Sequence, residues 1–310
     1  MSETLDDAEL SSLLEKTSRT FAVAIPLLGG GLSHDVGFGY LLFRVIDTLE
    51  DAAHWPRDRR VEALRDAIGL LDQPSVDLAR DCSRRWLAAP AASDNPHYTA
   101  LIAALPRLVA RLPAIEPARR RVILDHARRT ASLMLEFQMQ ASLDGRIVLR
   151  SVDQLRHYCY AVAGVVGELL TELFLLAEPP LCASAGVLRE LSAVVGEALQ
   201  LTNILKDAEQ DAREGRSLLP PDVGWDAALE LAGDDLARSR RYVAELQAAG
   251  ASGGILAFVV LPLMLSARTL RVLRDLGPGA RLARDQVIRA VQELAEAQQR
   301  RDSQLAALIA

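Results

Sequence analysis

Apolar residues recur at helical spacing along almost the whole 310-residue chain, at i, i+3, i+4 and i+7, and no pair of alternating runs reads as strands. The periodicity predicts helices over roughly 6–27, 33–53, 58–72, 75–90, 97–112, 117–143, 151–177, 185–213, 233–249, 252–275 and 283–309. Between them stand chain-breaking residues: Gly29 to Gly31, Pro90, Pro113, Asp144-Gly145, Pro179-Pro180, Pro220-Pro221, Gly253-Gly254 and Gly277-Pro278-Gly279. There is no internal repeat, low-complexity tract or obvious linker. The expectation is an all-α protein, one domain over 1–310, with long helices around a central channel or core.

Two of these helices break the pattern in the same way. In the first, Gly37, Tyr40, Arg44, Asp47 and Asp51 fall on one stripe at about 100° per residue, opposite Leu42, Val45, Ile46 and Leu49. In the second, Ala193, Gly196, Gln200, Asn203, Asp207 and Asp211 make a stripe that runs from small residues through amides to a carboxylate pair. Each pair is spaced one turn apart, about 6 Å along the axis. Bare carboxylates at that spacing repel, and a helix C-terminus disfavours anions. A cation between them reverses the sign. Mg²⁺ suits the site because it takes oxygen ligands, keeps waters and is often completed by substrate phosphates. Either stripe alone reads more readily as a solvated acidic face. Two stripes of one design read differently: if they face each other, four carboxylates converge, which requires metal. Arg213 and Arg216 follow Asp211, and Arg216, just past the helix end, is placed to reach a phosphate.

Composition narrows the class. Half the residues are hydrophobic, only 5% are aromatic, and the formal net charge is −6, which argues against a general nucleic-acid binder. Lysine occurs only at Lys16 and Lys206. Cys82, Cys159 and Cys182 fit neither a zinc spacing nor a disulfide framework, which suits a reducing cytoplasm. The acidic start MSETLDDAEL lacks the blocks of a signal peptide. The apolar run from Ile255 to Leu265 is too short to cross a bilayer and is expected to be a core helix. The polar end of the chain offers no anchor, so any membrane contact is expected to be peripheral, at the inner face. Oligomeric state is not legible.

Five blocks together resemble the squalene/phytoene synthase family of head-to-head prenyl-diphosphate synthases: Ser18-Arg19-Thr20-Phe21, RVIDTLED from Arg44 to Asp51, YCYAVAGVVG from Tyr158 to Gly167, LTNILKDAEQD from Leu201 to Asp211, and Gly215-Arg216 before Pro220. They span 18–220 in the family's order, and 221–310 matches only loosely. The resemblance implies an all-α domain around a deep channel and condensation of two prenyl diphosphates. It implies Asp47, Asp51, Asp207 and Asp211 as Mg²⁺ ligands and Arg19, Arg44 and Arg216 as diphosphate contacts. Ser18, Tyr40, Gln200, Asn203 and Lys206 belong to the substrate-binding set, and Tyr158 matches a tyrosine near the reacting carbons. Gln210 stands where members often carry an acid.

The SRTFAVAIPLL and AGVVGELLTELF stretches resemble bacterial squalene synthases more than phytoene synthases. The implied reaction joins two farnesyl diphosphates to presqualene diphosphate and squalene. NADPH would then be needed, with Phe258, Pro262, Arg281 and Arg284 lying where its site would be built. Three alternatives stay open: a non-reductive synthase of phytoene, dehydrosqualene or presqualene diphosphate; a terpene cyclase or prenyltransferase on the same scaffold; and a non-catalytic helical partner protein.

Overall fold

The computed structural model describes residues 4–18, 20–213, 218–300 and 304–309, with the side chains of 212 and 213 left out. Among the described residues all regular structure is helical. The chain divides into two compact units. The first comprises Met1–Pro26 and Gly30–Ile147, the second Leu27–Gly29 and Val148–Ala310.

The first unit holds α1 (Asp7–Thr17), α2 (Phe21–Ala24), α3 (Gly30–Glu50), α4 (Arg57–Asp72), α5 (Val76–Leu87), α6 (Pro96–Val109) and α7 (Pro117–Gln140). Helix α3 is its axis, packed by α1, α4, α6 and α7. Leu41 and Leu49 of α3 are fully buried, as are Leu64 of α4 and Leu101 and Leu105 of α6. The expected helix over 6–27 is two pieces. Asp6 and Glu9 form a capping box at the start of α1. The chain turns extended at Ser18, whose Oγ accepts from Phe21 N–H at 3.0 Å. That local side-chain bond competes with the helix and starts α2 instead.

The second unit holds α8 (Val152–Cys159), α9 (Val165–Ala177), α10 (Ala185–Arg213), α11 (Trp225–Ala248), α12 (Gly253–Leu276) and α13 (Arg284–Gln299). Helices α8 and α9, expected as one helix, are joined by a π-helical turn over Tyr160–Gly164. Helix α11 begins well before the expected residue 233, because an interior glycine costs a helix only about 1 kcal/mol and Gly233 does not end it. At the other end, α13 stops at Gln299 and a separate 3₁₀ turn covers Leu305–Ile309.

Helix α12 is 24 residues long, so length does not exclude it from spanning a bilayer, contrary to the reading of its apolar run. Both it and the segment Val152–Ala177 are long and apolar enough to cross a membrane, with 78% and 56% of the apolar window buried inside the structure. Burial of α12, from Ile255 to Met264 in particular, marks it as the core helix of its unit.

Helix α10 touches α8, α9, the π-helical turn, α11 and α12, and glycine makes that closeness available. A Cβ built on Gly196 would stand 1.8 Å from the carbonyl oxygen of Ala163, and one on Gly167 would stand 2.1 Å from that of Ser192. Both neighbours are backbone, which cannot move aside cheaply. Gly196→Ala is therefore expected to lower the urea midpoint by the equivalent of about 3 kcal/mol or more. Gly233→Ala, with nothing within 4 Å of its Cβ position, should raise stability by up to about 1 kcal/mol. Equal effects from the two would mean that α10 does not lie this close to the π-helical turn.

Candidate active site

Helix α3 is buried on nearly every side between Asp35 and Glu50, and Tyr40, Arg44 and Asp47 are its half-buried exceptions. The open stripe is thus Tyr40, Arg44, Asp47 and the exposed Asp51. Gly37, expected on the stripe, is buried: a Cβ there would meet Leu14 at 3.0 Å and Leu10 at 3.3 Å. Its smallness serves the packing of α1.

The stripe is a chain of contacts. The Tyr40 hydroxyl donates to Thr17 O at 3.0 Å and accepts from Arg44 Nη2 at 3.0 Å. The Arg44 guanidinium lies 5.4 Å from the Tyr40 ring centroid and 5.7 Å from that of Tyr98, within range of cation–π attraction. Arg44 Nη1 is 3.5 Å from Asp47 Oδ2. Its Nε is buried and has no hydrogen-bond partner. A buried guanidinium N–H without an acceptor costs free energy and is satisfied by an anion. Phe21 packs on Tyr40 with ring centroids 5.8 Å apart, so the Ser18 and Arg44 blocks meet in one place. Arg19 lies outside the described residues.

Asp47 sits in the last turn of α3, and Asp51 just beyond, its N–H bonded to Asp47 O at 2.8 Å. Burial, with the charge of Asp51 added, pushes the Asp47 carboxyl up to about 6 against the pull of Arg44. The adjacent Glu50 is buried, and its carboxylate accepts from Gln138 Nε2 at 3.4 Å. Burial, followed by the charge of Asp51, holds its carboxyl well above the usual range. Glu50 was missed in the sequence because it points about 100° from the stripe, and its partner in α7 is 88 residues away.

The end of α3 is fixed by Arg60, buried in α4. Its Nη1 donates to Glu50 O at 3.1 Å and Gly145 O at 2.9 Å, and its Nε to Trp55 O at 3.2 Å. One cation thus satisfies carbonyls that the helix end leaves open.

In the second unit, α10 presents Ala193, Glu197, Gln200, Asn203, Lys206, Asp207 and Asp211 as half-buried or exposed positions along a largely buried helix. Gly196, expected on the stripe, belongs to the backbone contact with the π-helical turn, and Glu197 joins the stripe in its place. Burial, and then the charge of Asp235, raises the Glu197 carboxyl, against Arg156 and Arg238. Lys206 Nζ donates to Asn203 Oδ1 at 2.8 Å and stands 3.3 Å from Asp207 Oδ2. Arg281 Nη2, from the α12–α13 connection, donates to Asp207 Oδ1 at 2.9 Å. Tyr158 is buried at the end of α8. Tyr160, half-buried in the π-helical turn, donates to Glu168 Oε1 at 3.3 Å. Arg216 and Gly215 lie outside the described residues, as does the side chain of Arg213.

A family model for squalene/phytoene synthase matches residues 14–292. The chain belongs to the squalene/phytoene synthase family. The match runs past Pro220, into the stretch that the sequence blocks left loosely assigned. Among curated squalene/phytoene synthase relatives, the squalene synthase of Mycosarcoma maydis is 30% identical over 228 residues, covering 73% of this chain and 36% of that protein. The squalene synthase of Bos taurus is 30% identical over 223 residues, covering 71% and 48%. The chain thus spans between a third and a half of the length of these relatives. A solved structure of TcSQS with the ligand BPH1237 superposes with a TM-score of 0.77 at 20% identity, covering 97% of this chain and 88% of that one. A dehydrosqualene synthase in complex with a ligand gives 0.52 at 18% identity, covering 94% and 96%. These two likenesses speak to fold.

Among the described residues, no three or more His, Cys, Asp or Glu side chains gather to hold a metal ion by themselves. Magnesium does not ask for that, since one or two carboxylates with waters and phosphates suffice. The oxygen-only donors of each pair fit it, and so do the cations already drawn to Asp47 and Asp207. Phe258 and Pro262 do not fit a dinucleotide site: both are buried in α12, Phe258 edge-on to Phe174 with centroids 6.1 Å apart.

Removing the clamp on the first pair should be costly. Arg60→Met is expected to destabilise the protein by roughly 2–4 kcal/mol in urea unfolding and to speed amide exchange through 50–55. Unchanged exchange there would show that Arg60 does not hold the end of α3.

Proposed function

We propose that the two units together form one catalytic domain that condenses two prenyl diphosphates head to head. The substrates are two farnesyl diphosphates, and the product is presqualene diphosphate and then squalene, with release of pyrophosphate. The observation that carries the reading is the paired design of α3 and α10, each an apolar helix whose open stripe ends in Asp-x-x-x-Asp, with the unpartnered Nε of Arg44 beside the first pair. Family membership names the chemistry that such a design serves. Placement near the bacterial squalene synthases rests on the opening block and the AGVVGELLTELF stretch, since the relatives named above are not bacterial.

Asp47 and Asp51, with Asp207 and Asp211, would hold Mg²⁺. Bound there, the ion polarises diphosphate oxygens as a Lewis acid. Arg44 turns its free Nε–H to a diphosphate oxygen, and Tyr40 keeps the guanidinium oriented through its hydroxyl. Arg19 and Arg216 take the same role on the family resemblance, with Ser18 in the same block as Arg19. The allylic C–O bond breaks, and its electron pair leaves with pyrophosphate. The double bond of the second substrate supplies the electrons of the new C–C bond, and loss of a proton closes the cyclopropane. Gln200, Asn203 and Lys206 line the second site helix, and Tyr158 lies near the reacting carbons. Apolar walls keep water from the cation. Of the residues expected around NADPH, Phe258 and Pro262 are buried in α12, while Arg281 and Arg284 are exposed. The protein is placed in the cytoplasm, with peripheral contact at the inner face of the membrane.

The test is anaerobic incubation with Mg²⁺ and either farnesyl or geranylgeranyl diphosphate, with and without NADPH. Squalene from the C15 substrate, only with NADPH, is expected. A product unchanged by NADPH assigns a non-reductive synthase, and one diphosphate consumed per product assigns a cyclase. Asp47→Asn and Asp207→Asn should each lower kcat/KM by at least about a hundredfold. Wild-type activity in both would remove the aspartate pairs from the reaction, and no product from any prenyl diphosphate would leave a non-catalytic helical protein.

A further inference from the structure

The connection between α12 and α13 lies against the C-terminal end of α10. Gly279 has φ +80°, and a Cβ there would fall 2.1 Å from Glu209 Oε2. Two residues on, Arg281 Nη2 donates to Asp207 Oδ1 at 2.9 Å. The other carboxylate oxygen, Oδ2, has Lys206 Nζ at 3.3 Å. Asp207 therefore carries one unit cation on each oxygen, together the charge of a single divalent ion.

The two cations are held differently. Lys206 is the preceding residue of the same helix and cannot go far. Arg281 belongs to a short strap fastened at both ends. Gly277 N–H bonds to Leu273 O at 2.9 Å, closing α12, and Ala283 N–H bonds to Gln286 Oε1 at 2.8 Å, opening α13. Arg268 ties the two helices together, donating to Gln286 O at 3.2 Å and pairing with Glu293. Only the residues between are left to move, and Gly277 and Gly279, at φ +86° and +80°, occupy backbone conformations open to glycine. The Arg281 side chain is 56% exposed and that of Asp207 36%, so their ion pair is weak and exchangeable. A guanidinium released from a carboxylate presents the planar fork of N–H donors that suits a phosphate.

We propose that Arg281 is a built-in counter-ion for the second aspartate pair: it occupies Asp207 until a divalent cation arrives, then passes to the diphosphate that the cation brings. The inference deepens the proposed function and rests on its reading of Asp207 as a metal ligand. It makes Arg281 a substrate-binding residue whose two partners are used in turn.

The experiment measures Mn²⁺ binding to the full chain from the free-ion EPR signal, in wild type, Arg281→Gln and Asp207→Asn. Inorganic pyrophosphate is then titrated by calorimetry in the presence of Mg²⁺. Without pyrophosphate, Arg281→Gln should bind Mn²⁺ roughly two- to fivefold more tightly, the range that loss of an exposed ion pair corresponds to. With Mg²⁺ present, the same variant should bind pyrophosphate about tenfold more weakly, as expected for one lost charge-assisted hydrogen bond. If Asp207→Asn weakens Mn²⁺ binding while Arg281→Gln changes neither affinity, Arg281 is an ordinary surface partner and the inference fails alone. If Asp207→Asn leaves Mn²⁺ binding intact, the metal reading of Asp207 fails and takes this inference with it.

Discussion

Each aspartate pair occupies the end of a helix that is least hospitable to it. The last turn carries the negative end of the helix dipole, and the apolar body of the helix removes water from one side. A carboxylate there must be neutralised by something near at hand. In the first unit Arg44, one turn before Asp47, does this from the same stripe. In the second, Lys206 and Arg281 do it from two different elements. Much of the surrounding structure serves to keep those cations and helix ends in place. Tyr40 ties Arg44 to the end of α1, and Arg60 with Gln138 closes the end of α3.

The second unit meets the same demand through close backbone packing. Gly196 and Gly167 remove side chains where α10 crosses the π-helical turn and α9, so α10 is held along its length and not only at its core face. The π-helical turn fits the same logic. Its wider ring disrupts the regular i to i−4 ladder, a feature that recurs at functional sites, and here it lies beneath the helix that carries the second carboxylate pair.

The parts of this arrangement that were legible in the sequence are those set by local periodicity. Helical spacing alone put Tyr40, Arg44, Asp47 and Asp51 on one face, and put Gln200, Asn203 and Asp207 on another. It could not tell a small residue that leaves room for a ligand from one that leaves room for a neighbouring backbone, so Gly37 and Gly196 were counted with the stripes when both are packing contacts. Residues defined by long-range partners were invisible for a related reason. The contact of Arg281 with Asp207 spans 74 residues, and Glu50 is read correctly only once Gln138 is seen against it. Helix ends failed where side chains overrode periodicity, as Ser18 does by ending α1 and accepting the Phe21 N–H at the start of α2.

The two carboxylate sites differ in how far they are already neutralised, and the difference follows from sequence position. Asp47 and Asp51 have the further acid Glu50 between them, buried, with Arg44 acting on Asp47 and Arg60 on Glu50. Asp207 has a cation at each oxygen and its neighbouring acid, Glu209, exposed to water. On the proposed reading, a divalent ion at the first site would relieve the repulsion among half-buried Asp47, buried Glu50 and exposed Asp51. On the same reading, an ion entering the second would have to displace one of the cations now at Asp207. The same four-residue spacing therefore describes two electrostatic environments, and the spacing alone is an incomplete description of what each pair can bind.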